Sequence, residues 1–178
     1  MKSESVLRII GEWRTIIRDT QGRVLGDSGW RRNQVQNTNA ILLASLIKNA
    51  AGISGVLFWA YGEGQASWDS SPPVQLETDT TLTSEVFRKA VTAPDVTFRD
   101  STTFVDIDPT PSNVIQIDQL LGITEANGYS LREFGLFGGT ATTTPDSGLF
   151  MNWVVHDRID KDNSISVQRS IRFLFQVV

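Results

Sequence analysis

Polar and apolar residues alternate with period two along most of this chain, and one segment breaks into a helical period. Between residues 6 and 18, Leu7, Ile9, Trp13 and Ile17 fall on one face and Arg8, Glu12, Arg14 and Arg18 on the other, as in a half-buried strand. Asp19-Thr20-Gln21-Gly22 is a turn, and Arg23–Trp30 returns as a second strand weakened by Gly26 and Gly29. At both Trp-Arg pairs of this hairpin, period two places Trp inward and Arg outward, a simpler reading than a basic and aromatic nucleic-acid surface. Asn37–Gly52 (NTNAILLASLIKNAAG) reads as the helix, with Asn37 or Asn39 capping its start, Lys48 in its last turn and Gly52 at C′. Its stripe of Ala40, Leu43, Ala44, Ile47 and Ala51 is widened by Ile41, Leu42 and Leu46. The pattern therefore predicts a buried plug covered by sheet on more than one side.

Beyond it, Gly55–Tyr61 (GVLFWAY) is apolar on both faces, as a central strand would be, and Gly62-Glu63-Gly64 ends it. That glycine pair lacks the third glycine and following helix of a dinucleotide loop, so it reads as a strand-to-loop break. Gln65–Asp79 is an exposed loop, barred from the ladder by Pro72-Pro73 and carrying Trp68 at its middle. Trp68 there either anchors a partner or sugar or folds back as a lid. Thr80–Ala90 is a strand end or short helix in which Glu85 and Arg88 can pair at i, i+3. Val96–Ile107 and Asn113–Leu121 are strands around the Asp108-Pro109-Thr110-Pro111 turn. Asn127-Gly128 is a hairpin signal delivering Tyr129–Phe137. The last two strands run through Leu149–Val155 and Ile165–Val177, joined by the polar stretch Asp157–Asn163. The expected fold is mainly β with one buried helix, a β-sandwich or open barrel forming one domain over residues 1–178.

Composition narrows the chemistry. With no cysteine there is no disulfide framework and no thiolate chemistry, and no Asn-x-Ser/Thr acceptor occurs. The start of the chain lacks the pattern of a signal peptide, and no apolar run is long enough to span a bilayer, so membrane insertion is not expected. A net charge of −4 argues against nucleic acid as a partner. The 12 Arg against 4 Lys, with 5 Trp, match the composition of interface cores.

His156 is the only histidine, which excludes a multi-His metal site within one chain. Asp157–Asn163 offers oxygen ligands but has Ile165 where a calcium loop needs glycine, and no closing Glu. Asp106 and Asp108 flank a proline turn and are read as shaping it, in preference to a glycosidase pair. No catalytic residue, cofactor site or metal site is expected.

Four segments in order carry a resemblance: Arg32-Asn33-Gln34-Val35; Trp59-Ala60-Tyr61-Gly62-Glu63-Gly64; Thr81-Leu82-Thr83-Ser84-Glu85-Val86-Phe87-Arg88-Lys89; and Leu131-Arg132-Glu133-Phe134-Gly135-Leu136-Phe137. Their order resembles the N-terminal domains of tail-collar fibre proteins of tailed bacteriophages and related contractile injection particles. The resemblance spans roughly residues 30–140. It implies a non-enzymatic structural subunit, made in the host cytoplasm and assembled into a virion or tail-like particle. Its implied partners are further copies of itself and other tail or virion proteins. No internal repeat or shaft follows, which favours a tail, collar or baseplate adaptor over a receptor-binding tip. The expected interface residues are Trp30, Trp68, Arg88, Arg132 and Glu133, with Glu133 paired to Arg88, Arg132 or an Arg of a neighbouring subunit. The alternative reading is a carbohydrate-binding β module using Trp68.

Overall fold

A computed structural model describes residues 5–178. The strands are β1 (Leu7–Asp19), β2 (Val24–Asp27), β3 (Arg31–Arg32) and β4 (Gln34–Val35), followed by the helix α1 (Thr38–Ile47). Then come β5 (Ser54–Gly62), β6 (Glu85–Ala90), β7 (Val96–Phe98), β8 (Val114–Leu121), β9 (Tyr129–Gly139), β10 (Leu149–Lys161) and β11 (Ile165–Val177). One sheet has the order β2-β1-β11-β8-β7 with β3 beside β1, and the other β4-β10-β9-β5-β6. The two sheets pack face to face as a β-sandwich, and no barrel closes.

Alternation dictates what enters the core. Trp13 on β1, Ile117 on β8, and Val167, Ile171 and Phe173 on β11 point inward from the first sheet. They meet Trp59 and Tyr61 of β5, Phe134 and Leu136 of β9 and Val154 of β10. Trp13 stands edge-on to Phe134 with ring centroids 5.8 Å apart. Among the described residues no helix is long and apolar enough to cross a membrane.

The helix is not the plug that its composition predicts. Of its residues only Asn39 and Leu42 are buried, whereas Ile41 is 57% and Ile47 83% exposed. It is pinned against β10 by polar bonds: the Thr38 hydroxyl donates to the Phe150 carbonyl, and the Asn39 amide donates to the carbonyls of Met151 and Gln36. It also stops early, because Asn49 adopts φ +53° at C′. The Asn49 N–H then bonds Leu46 O and the Ala50 N–H bonds Ser45 O, a Schellman end in which Asn does what Gly52 was expected to do. Leu42→Ala is therefore expected to cost about 2–5 kcal/mol, and Ile47→Ala less than about 0.5 kcal/mol, in urea denaturation.

Other boundaries shift for local reasons. Residues 28–30 leave the ladder, with Gly29 at φ +62°, and this reverses the second Trp-Arg pair. Trp13 and Arg14 keep the predicted inward and outward sides, but Trp30 lies on the outer face beneath Arg172, 4.1 Å from its guanidinium. The predicted strand Val96–Ile107 shortens to β7. Asn127-Gly128 is not a hairpin, because β8 and β9 belong to different sheets; the Asn127 amide instead donates to Ile123 O and accepts from Lys161. Asp157–Lys161 continues β10 where a joining loop was expected.

Candidate functional site

The second sheet has a covered outer face. Phe137 of β9, Phe150 and Trp153 of β10 and Ala60 of β5 form a small core there, closed by Leu82 and flanked by Phe58 and Trp68. Leu82 and Trp68 belong to residues 63–84, which run over this face as a strap. Glycine makes the strap's entry possible: a Cβ on Gly62 would lie 2.5 Å from the Glu133 carboxylate, and one on Gly64 2.2 Å from the Trp68 ring. Trp68 thus folds back on its own chain, edge-on to Trp153 at 6.1 Å.

Glu133 fastens the strap's far end. Its carboxylate is fully buried and accepts from the N–H groups of Thr83 (3.1 Å) and Ser84 (2.9 Å) and from the Trp153 indole (2.8 Å). Burial pushes this carboxyl above its ordinary value against the pull of those donors. The expected pairing of Glu133 with Arg88 or Arg132 does not form, because each arginine is committed elsewhere. Arg88 makes a two-bonded pair with Glu85 (2.6 and 2.7 Å) and lies 4.4 Å from the Phe137 ring. Arg132 makes a two-bonded pair with Asp69 of the strap (2.7 and 3.0 Å).

On the side where β1 and β2 face β10, the sandwich opens into a cleft of about 450 Å³. Thr15, Trp13 and His156 line it from the two sheets, Asp27 and Arg31 from the β2–β3 side, and Trp68 and Asp69 from the strap. A bulge shapes it: the register of β10 against β9 slips between Val155 and Ile159, turning His156, Asp157 and Arg158 to the opening. Asp27 is held down to about 2 by the Arg14 guanidinium bonded to it. Asp69 is likewise lowered by Arg132, with Arg158 a further partner at 3.4 Å.

Beneath the floor lies Arg169, fully buried on β11. One terminal nitrogen donates to the Thr15 hydroxyl at 2.8 Å and the other to His156 Nε2 at 2.9 Å. The guanidinium also lies 4.1 Å from the Phe134 ring and 5.8 Å from that of Tyr61, and its Nε has no bonding partner. Among the described residues no carboxylate pairs with it. Arg169 can only donate, so His156 Nε2 must accept, and the proton sits on Nδ1, which donates to the Asp157 carbonyl at 2.7 Å. Burial and the adjacent Arg169 charge push the imidazole well below its ordinary value, so it is neutral.

Of the residues expected at an interface, Trp68 reaches this cleft, Arg132 supports it through Asp69, Glu133 serves the strap, Arg88 ties β6 to the loop between β9 and β10, and Trp30 lies on the outer face of the first sheet. Arg169, Thr15 and Arg31 went unselected. The signal for Arg169 was its place between inward Val167 and Ile171 in a period-two strand.

No protein-family model, curated protein or solved structure matches the chain. What fold and site define together is a class: a strapped β-sandwich with a side cleft above a buried cation that no carboxylate meets among the described residues.

Proposed function

We propose that the chain is a non-enzymatic structural subunit of a tailed-phage virion or phage-tail-like particle, an adaptor at the tail, collar or baseplate that joins neighbouring subunits. The observation that carries this reading is the solvent face of α1. Ala40, Ile41, Ala44 and Ile47 are all exposed along it, and Lys48 is its one charge. The strap bonds to the helix's N-terminal end through Asn37 N–H and Glu77 O (2.8 Å), and its own Val74 is 82% exposed. An apolar helix face on the outside of a sandwich is surface that asks for cover. The order of the four sequence segments supplies the class of particle. The motif residues Gly62, Gly64, Glu133 and Arg88 suit a rigid block, since each serves the chain's own packing.

Light scattering over a wide concentration range tests the reading. The native chain is expected to form a defined oligomer or a complex with tail proteins, and Ile41→Asp with Ile47→Asp is expected to disperse it without lowering the melting midpoint. A strict monomer that joins no tail protein would overturn it. The cleft with Trp68 in its wall favours a second reading, glycan binding. Retention on immobilised glycans, lost in Trp68→Ala, would decide for it.

A further inference from the structure

Two of the cleft's unspent donors stand next to its buried charge or at its rim. Thr15, 6% exposed, receives the Arg169 bond on its hydroxyl oxygen, its N–H donates to the Ser28 hydroxyl and its carbonyl accepts from the Ser28 N–H, and its hydroxyl hydrogen has no acceptor among the described residues. Arg31 donates through Nε to Ser28 O at 3.1 Å, and its two terminal nitrogens bond nothing among the described residues. The indole N–H groups of Trp13 and Trp68 and the Asp157 carboxylate also line the cleft without a bonding partner among the described residues, while the serine hydroxyls and the imidazole on the walls are committed. Ser28 donates to Gly29 O and Ser70 to Ser67 O, while His156 accepts from Arg169 and donates to Asp157 O. Apart from the Asp157 carboxylate the unspent groups are donors, and the buried charge behind them is positive.

We propose that this cleft is a socket for the carboxylate of an acidic side chain from a neighbouring protein chain, gripped by the Arg31 fork and the Thr15 hydroxyl above Arg169. The charge balance sets the class of ligand. Asp27 is matched by Arg14, and Asp69 and Asp160 by Arg132 and Arg158. That leaves Arg31 and Arg169 against Asp157, a surplus of a single positive charge, which suits a monoanion and disfavours a phosphate dianion. Arg169 polarises the Thr15 hydroxyl it bonds, and the low-dielectric floor strengthens the bond that hydroxyl then makes. The guanidinium of Arg31 matches the two oxygens of a carboxylate. Ile17, Pro72 and Val155 give the methylenes of a glutamate apolar walls, while the committed serines leave few donors for a ring of sugar hydroxyls.

The identity of the partner as a protein rests on the assembly reading; the carboxylate chemistry does not. The test titrates the full chain with the capped tripeptide acetyl-Ala-Glu-Ala-amide, its Gln counterpart, sodium glucuronate and inorganic phosphate. The Thr15 methyl signal and tryptophan fluorescence are followed. The Glu peptide is expected to saturate both signals and to bind roughly tenfold or more tightly than the Gln peptide, with a similar loss in Arg31→Gln. Arg31 is exposed, so that variant keeps the fold, and a matching melting midpoint verifies it. Equal binding of the Glu and Gln peptides, or an unaltered Arg31→Gln, would overturn the socket. Tighter binding of glucuronate or phosphate would overturn its assignment to a protein side chain. A chain that assembles but binds no peptide loses this inference alone, and one that binds the peptide as a strict monomer loses the assembly reading and with it the protein partner, while the carboxylate site stands.

Discussion

Glu133→Leu is expected to lower the stability of the fold by about 3–5 kcal/mol, the range for removing the acceptor from buried, otherwise satisfied donors. Three groups lose their partner at once: the Thr83 and Ser84 N–H groups and the Trp153 indole. Leucine fills the volume but accepts nothing, and what then holds the strap at that end is the packing of Leu82 and the bond from Glu63 N–H to Ser84 O. The loss should be localised, so limited proteolysis of the variant should cut within residues 63–84 before the sandwich opens. Glu133→Gln keeps one acceptor oxygen and is expected to cost less, about 1–3 kcal/mol. The carboxyl also carries a pH signature. Because its folded value lies above its ordinary one, the folded chain holds this proton to higher pH than the unfolded chain does. Its stabilising contribution is complete below the ordinary Glu value and is lost as pH rises through the raised one. Urea midpoints measured from acid to neutral pH should show that fall in the native chain and a flatter profile in Glu133→Gln. A Glu133→Leu chain with a native midpoint and native protease resistance would show that the strap is held in some other way.

Where one face of a strand meets water, the sequence is legible: β1, β8 and β11 follow from alternation alone, and so does the inward position of Trp13. The sandwich is built from those periods. The helix was legible as a helix but not in its placement. Apolar residues around most of its circumference describe equally well a plug and a helix whose outer face stays bare, and only the fold distinguishes the two. Asn127-Gly128 misled for a related reason. Turn chemistry is local, whereas which sheet the next strand joins is not.

The cleft was less legible than the fold. The Glu85–Arg88 pair could be read because both partners lie within one short segment. Glu133 meets donors about 50 residues away on the strap, and Arg132 meets Asp69 across a similar distance, so no spacing in the chain announces either. Arg169 is the instructive case. Period two places it inward, and an arginine facing inward among Val167, Ile171 and Phe173 is itself the anomaly. What it bonds to, Thr15 from the other end of the chain and the one histidine, required the fold.

That anomaly leads to the second large expected effect: Arg169→Met should leave the fold as stable as before or raise its stability by about 1–3 kcal/mol. Removing one partner of a buried ion pair is costly because it strands the other charge, but among the described residues Arg169 has no charged partner to strand. Methionine retains much of the aliphatic volume against Phe134 and Tyr61. What is lost is one donor to Thr15, one to His156 and two ring contacts, against the relief of a guanidinium that burial pushes down from its ordinary value to about 10. The same shift fixes a sign. Below about 10 both folded and unfolded chains hold the proton, and the cost of burying the charge is fully present. Between about 10 and the ordinary arginine value the unfolded chain holds it and the folded chain releases it, so stability from this group rises with pH there. Urea midpoints of the native chain and Arg169→Met should therefore converge across that interval, the variant starting higher. With the guanidinium gone, the His156 imidazole should also titrate closer to its ordinary value, visible in the pH dependence of its ring proton signals. A loss of more than about 2 kcal/mol in Arg169→Met at neutral pH would mean that the bonds to Thr15 and His156 and the faces of two aromatic rings outweigh desolvation, and that a lone buried arginine can hold a sandwich together.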